Sequence, residues 1–229
     1  MKQTSQMTPF PTSEYEFSQS MEALTIVKTS AFYDVLKRGL DILLALVAIV
    51  VLLPVFVVIA VCIKLDDHGP VFHWREIVGF HGRRFRALKF RTMIPDADVY
   101  LQQHPELKEE YLRNMKLNRD PRVTYIGRVL RKTSLDELPQ LFNILCGQMS
   151  LVGPRIIHPS ELPRYGVYAY KRLSVKPGLT GLWQVSGRRK SSYDERIILD
   201  MYYVDHRSIL FDLQILVKTL KVFVVHTGV

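Results

Sequence analysis

Residues 42–63 constrain this chain more than any other segment: 21 apolar residues interrupted only by Pro54. As a helix rising about 1.5 Å per residue, the run is about 33 Å long, enough to cross a hydrocarbon core of about 30 Å. A plain transmembrane helix is one solution, but the flanking charges favour another. Lys28, Lys37 and Arg38 precede the run, and Lys64, Arg75, Arg83 and Arg84 follow it. The positive-inside bias therefore draws both flanks to the cytoplasmic face. Pro54 divides the run into arms of 12 and 9 residues, and the first arm reaches about 18 Å, close to one leaflet. Proline removes a backbone hydrogen bond and kinks a helix. The expectation is a re-entrant helix–break–helix over residues 31–66 that dips into the inner leaflet, with its break at Pro54.

A chain of 229 residues has room for one core beside that element. Its formal net charge of +9 and pI of about 9.6 imply anionic partners: phospholipid head groups, nucleotides or nucleic acid. Cys62 and Cys146 lie in apolar surroundings and read as buried free thiols in a reducing compartment. None of the seven histidines has a zinc-like spacing. Residues 1–30 are polar, without an apolar run behind a basic start, so they read as a flexible tail rather than a cleaved signal peptide. Residues 67–229 form the remaining, cytoplasmic domain.

Asp66-Asp67-His68-Gly69-Pro70 is a turn out of the membrane element. Short β-prone pieces follow, Val71-Phe72 and residues 85–90, around Gly79 and Gly82. Residues 96–117 read as one exposed, charged helix. Segments 126–130, 135–145 and 195–203 are helical, with Gly147 a C-terminal cap for the second. Residues 209–225 form a strongly apolar final helix that lies on the bilayer surface or in the core.

The chemistry concentrates in Ser134-Leu135-Asp136-Glu137-Leu138-Pro139-Gln140-Leu141. Ser134 and Glu137 have the spacing of a capping box, which places Asp136 and Glu137 in a first helical turn. On spacing alone the two carboxylates could simply cap the helix and favour its dipole. The apolar neighbours Leu138, Leu141 and Phe142 are unusual for a solvated helix start, and Arg122, Arg128 and Arg131 are close in sequence. A carboxylate held ionised in such a place can attack phosphorus. Paired carboxylates beside phosphate are also a usual Mg²⁺ environment.

Arg83, Arg84, Arg86, Lys89 and Arg91 place five cations in nine residues, interleaved with Phe85 and Phe90. Beside an apolar anchor, this strip reads as membrane-facing or phosphate-binding rather than as a nucleic-acid platform. P-loop, dinucleotide-binding and serine-hydrolase motifs do not occur in the sequence. The glycine-spaced Gly178-Leu179-Thr180-Gly181 and Val185-Ser186-Gly187-Arg188 read as a loop that presents backbone N–H groups to phosphate.

Taken in order, these segments resemble the bacterial sugar transferases, the monotopic polyprenol-phosphate phosphoglycosyl transferases. The resemblance runs from about Tyr33 to about Thr219. It is carried by Lys37-Arg38 with Asp41, Gly69-Pro70-Val71-Phe72, Lys89-Phe90-Arg91-Thr92-Met93, the acidic stretch from Ser134, Val152-Gly153-Pro154-Arg155, and the segment from Pro177 to Arg188. Gly181-Leu182-Trp183-Gln184-Val185-Ser186-Gly187-Arg188, Leu199-Asp200 and Tyr202-Tyr203-Val204 resemble the hexose-1-phosphate branch. The chain departs from the family at Ile156, where proline usually follows the arginine, and at His206-Arg207-Ser208, where Asn-Trp-Ser is common.

The resemblance implies a mainly α fold with small β elements (α+β), seated on the membrane by the re-entrant helix and by amphipathic surface helices. It implies exchange of a hexose 1-phosphate from a UDP-hexose to undecaprenyl phosphate, with release of UMP, at the cytoplasmic face of a bacterial inner membrane. Asp136 is then the nucleophile, and Glu137 a metal ligand or proton acceptor, with Mg²⁺ at the pair. Arg131 and Arg155 match arginines that hold phosphate, and Lys89, Arg91 and Arg188 join them as substrate contacts. The expected partners are UDP-glucose or UDP-galactose, undecaprenyl phosphate and anionic membrane lipid, with no nucleic acid; monomer and homodimer both stay open. Many hexose enzymes carry an additional membrane domain, and this chain reads as the catalytic unit alone. The competing reading is a non-catalytic, membrane-anchored scaffold of a polysaccharide assembly complex.

Overall fold

The computed structural model describes residues 30–114, 117, 119–186 and 192–225. The fold is mostly helical with a few short strands, as expected. It begins with α1, Ala31–Asp67, a helix of 37 residues. Ser30 caps its start, with Oγ accepting from the Tyr33 N–H at 3.2 Å, and His68 ends it in the left-handed region at φ 59°. α1 is long and apolar enough to cross a membrane by length and composition. The expected break at Pro54 is not a gap in secondary structure, for Pro54 lies inside one continuous helix. Its ring fixes φ near the helical value, so the chain there loses one hydrogen bond rather than the helical conformation.

Two faces of α1 have different fates. Asp41, Ala45, Phe56, Ile59 and Ile63 are buried, with Ala48 and Leu52 packed between them at helical spacing. Leu43, Leu46, Val47, Val50, Val51, Val57, Val58 and Val61 are exposed. Both ends of the helix are tied to the rest of the chain. Arg38 donates to the carbonyls of Ile144 and Leu145 at 2.6 and 2.9 Å, and Asp41 accepts from the Leu151 N–H at 2.9 Å. At the other end, Asp66 accepts from the Ile126 N–H at 3.2 Å, and Asp67 pairs with Arg91.

β1, Phe72–Val78, and β2, Arg84–Phe90, form an antiparallel hairpin in register from Phe72↔Phe90 to Val78↔Arg84, longer than the β-prone pieces in the sequence. The exposed segment read as one helix is two, α2 at Ala97–Gln103 and α3 at Pro105–Asn114, because Pro105 cannot continue the first. α4, Tyr125–Thr133, is capped by Thr124 and ends at Ser134 in the left-handed conformation, φ 58°. A 3-10 turn, Leu135–Glu137, leads to α5, Gln140–Leu145. The capping box therefore does not form, because Ser134 closes the helix before it and caps nothing after it. Gly147, at φ 78°, ends α5 as anticipated. Cys146 beside it is exposed and Cys62 half-buried, both free, so the expectation of two buried thiols is corrected.

β3, Ser150–Val152, and β4, Gly178–Thr180, make a short parallel pair. Between them lie a 3-10 stretch, Pro159–Tyr168, and α6, Ala169–Leu173. α7, Leu182–Val185, follows β4. α8, Tyr193–His206, and α9, Ile209–Val225, complete the chain. α9 has two faces: Asp212 and Ile215 are buried in the core, while Leu210, Leu213, Val217 and Leu220 are exposed.

The parallel pair explains two glycines read as phosphate contacts. A Cβ on Gly178 would lie 2.1 Å from the backbone nitrogen of Gly153, and one on Gly181 would lie 2.2 Å from the Gly153 carbonyl oxygen. These positions need glycine because two backbones touch there.

Candidate active site

Four elements converge on the acidic pair. β2 supplies Lys89, the end of α4 supplies Arg131, the 3-10 turn supplies Asp136 and Glu137, and the loop after β3 supplies Arg155. The 3-10 turn follows directly on the left-handed Ser134, which reverses the chain and sets both carboxylates inward.

The two acids are held differently. Glu137 accepts from Arg155 Nη2 at 2.9 Å and Nη1 at 3.4 Å, and from Lys89 Nζ at 2.8 Å. Burial opposes its ionisation, but Arg155 and Lys89 outweigh burial and hold the carboxyl at about 2. Asp136 is 8% exposed, and among the described residues its carboxylate accepts no hydrogen bond; Lys89 Nζ stands 3.7 Å from Oδ2. Burial pushes the Asp136 carboxyl above the usual carboxylate range and Glu137 adds to that, while Lys89, Arg131 and Arg155 pull it back.

The cations of the strip have separate fates. Lys89 joins the acids. Arg91 does not: its guanidinium clamps Asp67 at the end of α1 and reaches the carbonyls of Pro70 and Met93, so the structure places it as a tie for α1 rather than in the site. Arg84 pairs with Glu76 on the hairpin, and Arg83 and Arg86 are exposed. Arg131 is brought to the site, its Nε donating to Thr92 Oγ1 at 2.8 Å. Arg122 is buried against Asp120 instead. Arg188 lies outside the described residues, as does Gly187.

A cavity of about 660 Å³ opens beside the pair, with Glu137 and Arg155 on its wall. Its other walls include residues that the sequence marked only as family signatures or as parts of an apolar helix: Leu138, Trp183, Gln184, Leu216 and Thr219. The guanidinium of Arg155 stands 6.0 Å from the Trp183 ring centroid, and that of Arg196 stands 5.4 Å from it. Gln184 donates from Nε2 to the Leu179 carbonyl at 3.0 Å, and among the described residues its buried Oε1 has no partner. A buried acceptor in that condition is costly unless something in the cavity donates to it.

Behind the cavity the Arg155 backbone is gripped from two sides. Its carbonyl accepts from Arg172 Nη2 at 2.9 Å and from Arg196 Nη2 at 3.5 Å, and Arg196 Nε stands 3.9 Å from the Asp200 carboxylate. Asp200 in turn accepts from the Tyr165 hydroxyl at 2.7 Å. These partners come from α6, the 3-10 stretch and α8, which no local pattern connects.

The acids fit Mg²⁺. The protein usually gives that ion one or two carboxylates and leaves the rest of its shell to substrate phosphates and water. Asp136 and Glu137 are adjacent, and Asp136 has no hydrogen bond of its own to give up. Among the described residues no cluster of three or more His, Cys, Asp or Glu side chains forms a metal site complete in itself.

Fold and site together define an enzyme built on one long apolar helix, with an acid pair set among cations at the wall of an apolar cavity. The chain belongs to the bacterial sugar transferases: the profile described as "Bacterial sugar transferase" matches residues 32–226. It is similar to the exopolysaccharide production protein ExoY of Sinorhizobium fredii, 44% identical over 196 residues that cover 84% of this chain and 87% of that protein. The undecaprenyl-phosphate galactose phosphotransferase of Salmonella typhimurium is 42% identical over 197 residues, covering 84% of this chain and 41% of the relative. A protein of Aeromonas hydrophila named UDP-N-acetylgalactosamine-undecaprenyl-phosphate N-acetylgalactosaminephosphotransferase is 36% identical over 206 residues, covering 87% and 46% respectively. This chain is a transferase, and the scaffold reading is set aside.

Proposed function

We propose that the chain transfers a hexose 1-phosphate from a UDP-hexose to undecaprenyl phosphate and releases UMP, as an early membrane step of surface polysaccharide synthesis. The observation that carries the mechanism is the inequality of the two acids: among the described residues Glu137 is fixed by three hydrogen bonds, while Asp136 accepts none. In this reading an Asp136 oxygen attacks the sugar-bearing phosphorus, and the bond to the UMP oxygen breaks. An oxygen of undecaprenyl phosphate then attacks the resulting acyl phosphate, which forms the lipid diphosphate sugar and frees the carboxylate. Glu137 keeps Lys89 and Arg155 aimed at the phosphates, and Arg131 adds a further cation. Mg²⁺, held by Asp136 and Glu137, would relieve repulsion between carboxylate and diphosphate.

The sugar and its nucleotide belong in the cavity. Trp183 offers a ring face and Gln184 Oε1 an unused acceptor for a hydroxyl. A hexose is favoured over an acetamido sugar by the higher identity to the relative named for galactose than to the one named for N-acetylgalactosamine. A re-entrant α1 on the cytoplasmic face of a bacterial inner membrane is supported by the bonds at both of its ends to the same body, Arg38 and Asp41 at one and Asp66 and Asp67 at the other. Anionic lipid would surround the exposed apolar faces of α1 and α9.

The test is nucleotide release by purified protein with Mg²⁺ and undecaprenyl phosphate, with UDP-glucose and UDP-galactose in parallel. UMP from one of them, lost in Asp136→Asn, is expected. UDP in place of UMP would overturn the mechanism, and release only from an acetamido-sugar donor would overturn the choice of sugar.

A further inference from the structure

A second cavity, of about 330 Å³, lies at the start of α1 and shares no lining residue with the first. Four cations, Lys37, Arg38, Lys176 and Arg207, line it with two carboxylates, Asp34 and Asp41. Most of these charges are already engaged. Lys37 is paired with Asp212 at 2.7 Å, Arg38 donates to two carbonyls at the end of α5, Arg207 donates to the Val204 carbonyl, and Asp41 accepts from Ser150 and Leu151. Lys176 is the exception. It is half-buried, and among the described residues it makes no hydrogen bond or ion pair.

A desolvated ammonium beside other cations calls for an anion. Burial, then Arg38 and Lys37, push Lys176 below its ordinary value, and Asp41 only partly compensates. The place of the cavity says where that anion resides. Arg38 precedes Ile42, the start of the uninterrupted apolar run, by about 6 Å along a helix, and Ile42 and Leu43 are exposed, as are Phe32, Val35 and Leu36 before them. That is the depth at which lipid phosphates stand above the hydrocarbon. Phe80, at the hairpin tip, is also on the cavity wall and 37% exposed.

We propose that this cavity binds the phosphate of an anionic phospholipid head group, with Lys176 as its principal contact and Arg38 and Arg207 beside it. The inference rests on the membrane reading of α1 but not on the transfer chemistry. The bound head group fixes the depth and rotation of α1 through Lys37, Arg38 and Asp41, and so the height of the acid pair above the bilayer.

The full chain, delipidated in neutral detergent micelles, is titrated with short-chain phosphatidylglycerol, short-chain phosphatidylcholine and inorganic phosphate. Thermal unfolding and native mass spectra are read together. Phosphatidylglycerol should raise the unfolding temperature with saturation and give one retained adduct per chain, since a ligand of the folded state stabilises by mass action. Phosphatidylcholine should do neither. Lys176→Gln should weaken the phosphatidylglycerol response about tenfold, Lys176→Arg should restore it, and Asp136→Asn should leave it intact. Equal responses to the two lipids, or a phosphatidylglycerol response unchanged in Lys176→Gln, would overturn the proposal. Saturation by inorganic phosphate at concentrations as low as those for the lipid would assign the cavity to a free anion and overturn the lipid.

Discussion

Lys89 stands between the two acids, 2.8 Å from Glu137 and 3.7 Å from Asp136. One ammonium thus serves a bonded carboxylate and an unbonded one, and the difference assigns them separate tasks. Asp136→Asn should abolish UMP release, on the order of 10³-fold or more for loss of a nucleophile, with the unfolding temperature nearly unchanged. Glu137→Gln should lower both activity and stability, because it leaves Arg155 and Lys89 without their carboxylate; the hydrogen bonds at stake are worth about 1.5–3 kcal/mol each. Steady-state UMP release and thermal unfolding of the two variants, side by side, test the division.

The two acids should also separate with pH. Glu137 titrates at about 2 in the fold against an ordinary 4.5, so its stabilising contribution is complete above 4.5 and lost as pH falls from there through 2. Asp136 is shifted the other way, so its ionised form is a cost at neutral pH that is relieved as pH falls. The acid limb of kcat/KM should therefore lie above the ordinary 3.8 of an aspartate, and Lys89→Met should move it higher by removing a cation. A limb at or below 3.8 in the parent enzyme would contradict the burial of Asp136.

Lys89 and Arg91 are two residues apart and should fail in different assays. Lys89→Met should reduce turnover while the protein stays folded. Arg91→Met removes the clamp on the half-buried Asp67 and should cost about 1.5–3 kcal/mol, the range for hydrogen bonds to a charged group, with KM for the UDP-sugar little changed in the fraction that folds. A raised KM with unaltered unfolding in Arg91→Met would return that arginine to the substrate.

Gly178→Ala places a methyl group 2.1 Å from the Gly153 nitrogen. The parallel pair must separate, moving Arg155 on one side and Trp183 on the other. Destabilisation of about 3 kcal/mol or more is expected, along with loss of UMP release. Unfolding temperature and activity of this variant should fall together.

The disposition of α1 can be read by labelling. With Cys62→Ser and Cys146→Ser as background, Ser30→Cys and Pro70→Cys should react alike with a membrane-impermeant thiol reagent, both only after the cytoplasmic face is opened. Reaction from opposite faces would replace the re-entrant helix by a spanning one.

Much of this protein was legible in the sequence because it depends on neighbours in the chain. The apolar run of α1, the turn at Gly69-Pro70 and the glycine after α5 follow from hydrophobicity and backbone freedom within a few residues. So does the closeness of Asp136 to Glu137. The tertiary structure decided what those residues do. Ser134 and Glu137 have a capping-box spacing, yet Glu137 is taken by Lys89 and Arg155, 48 and 18 residues away, because two full charges outbid one backbone N–H in a buried site. Two cations of a single strip, Lys89 and Arg91, part company because β2 ends at Phe90 and the chain turns toward α1. Gly153 and Gly178 are glycines for the sake of each other, a reason visible only once two strands lie side by side. Local sequence determines the elements and their order, whereas contacts between distant parts of the chain decide which charges are left for chemistry.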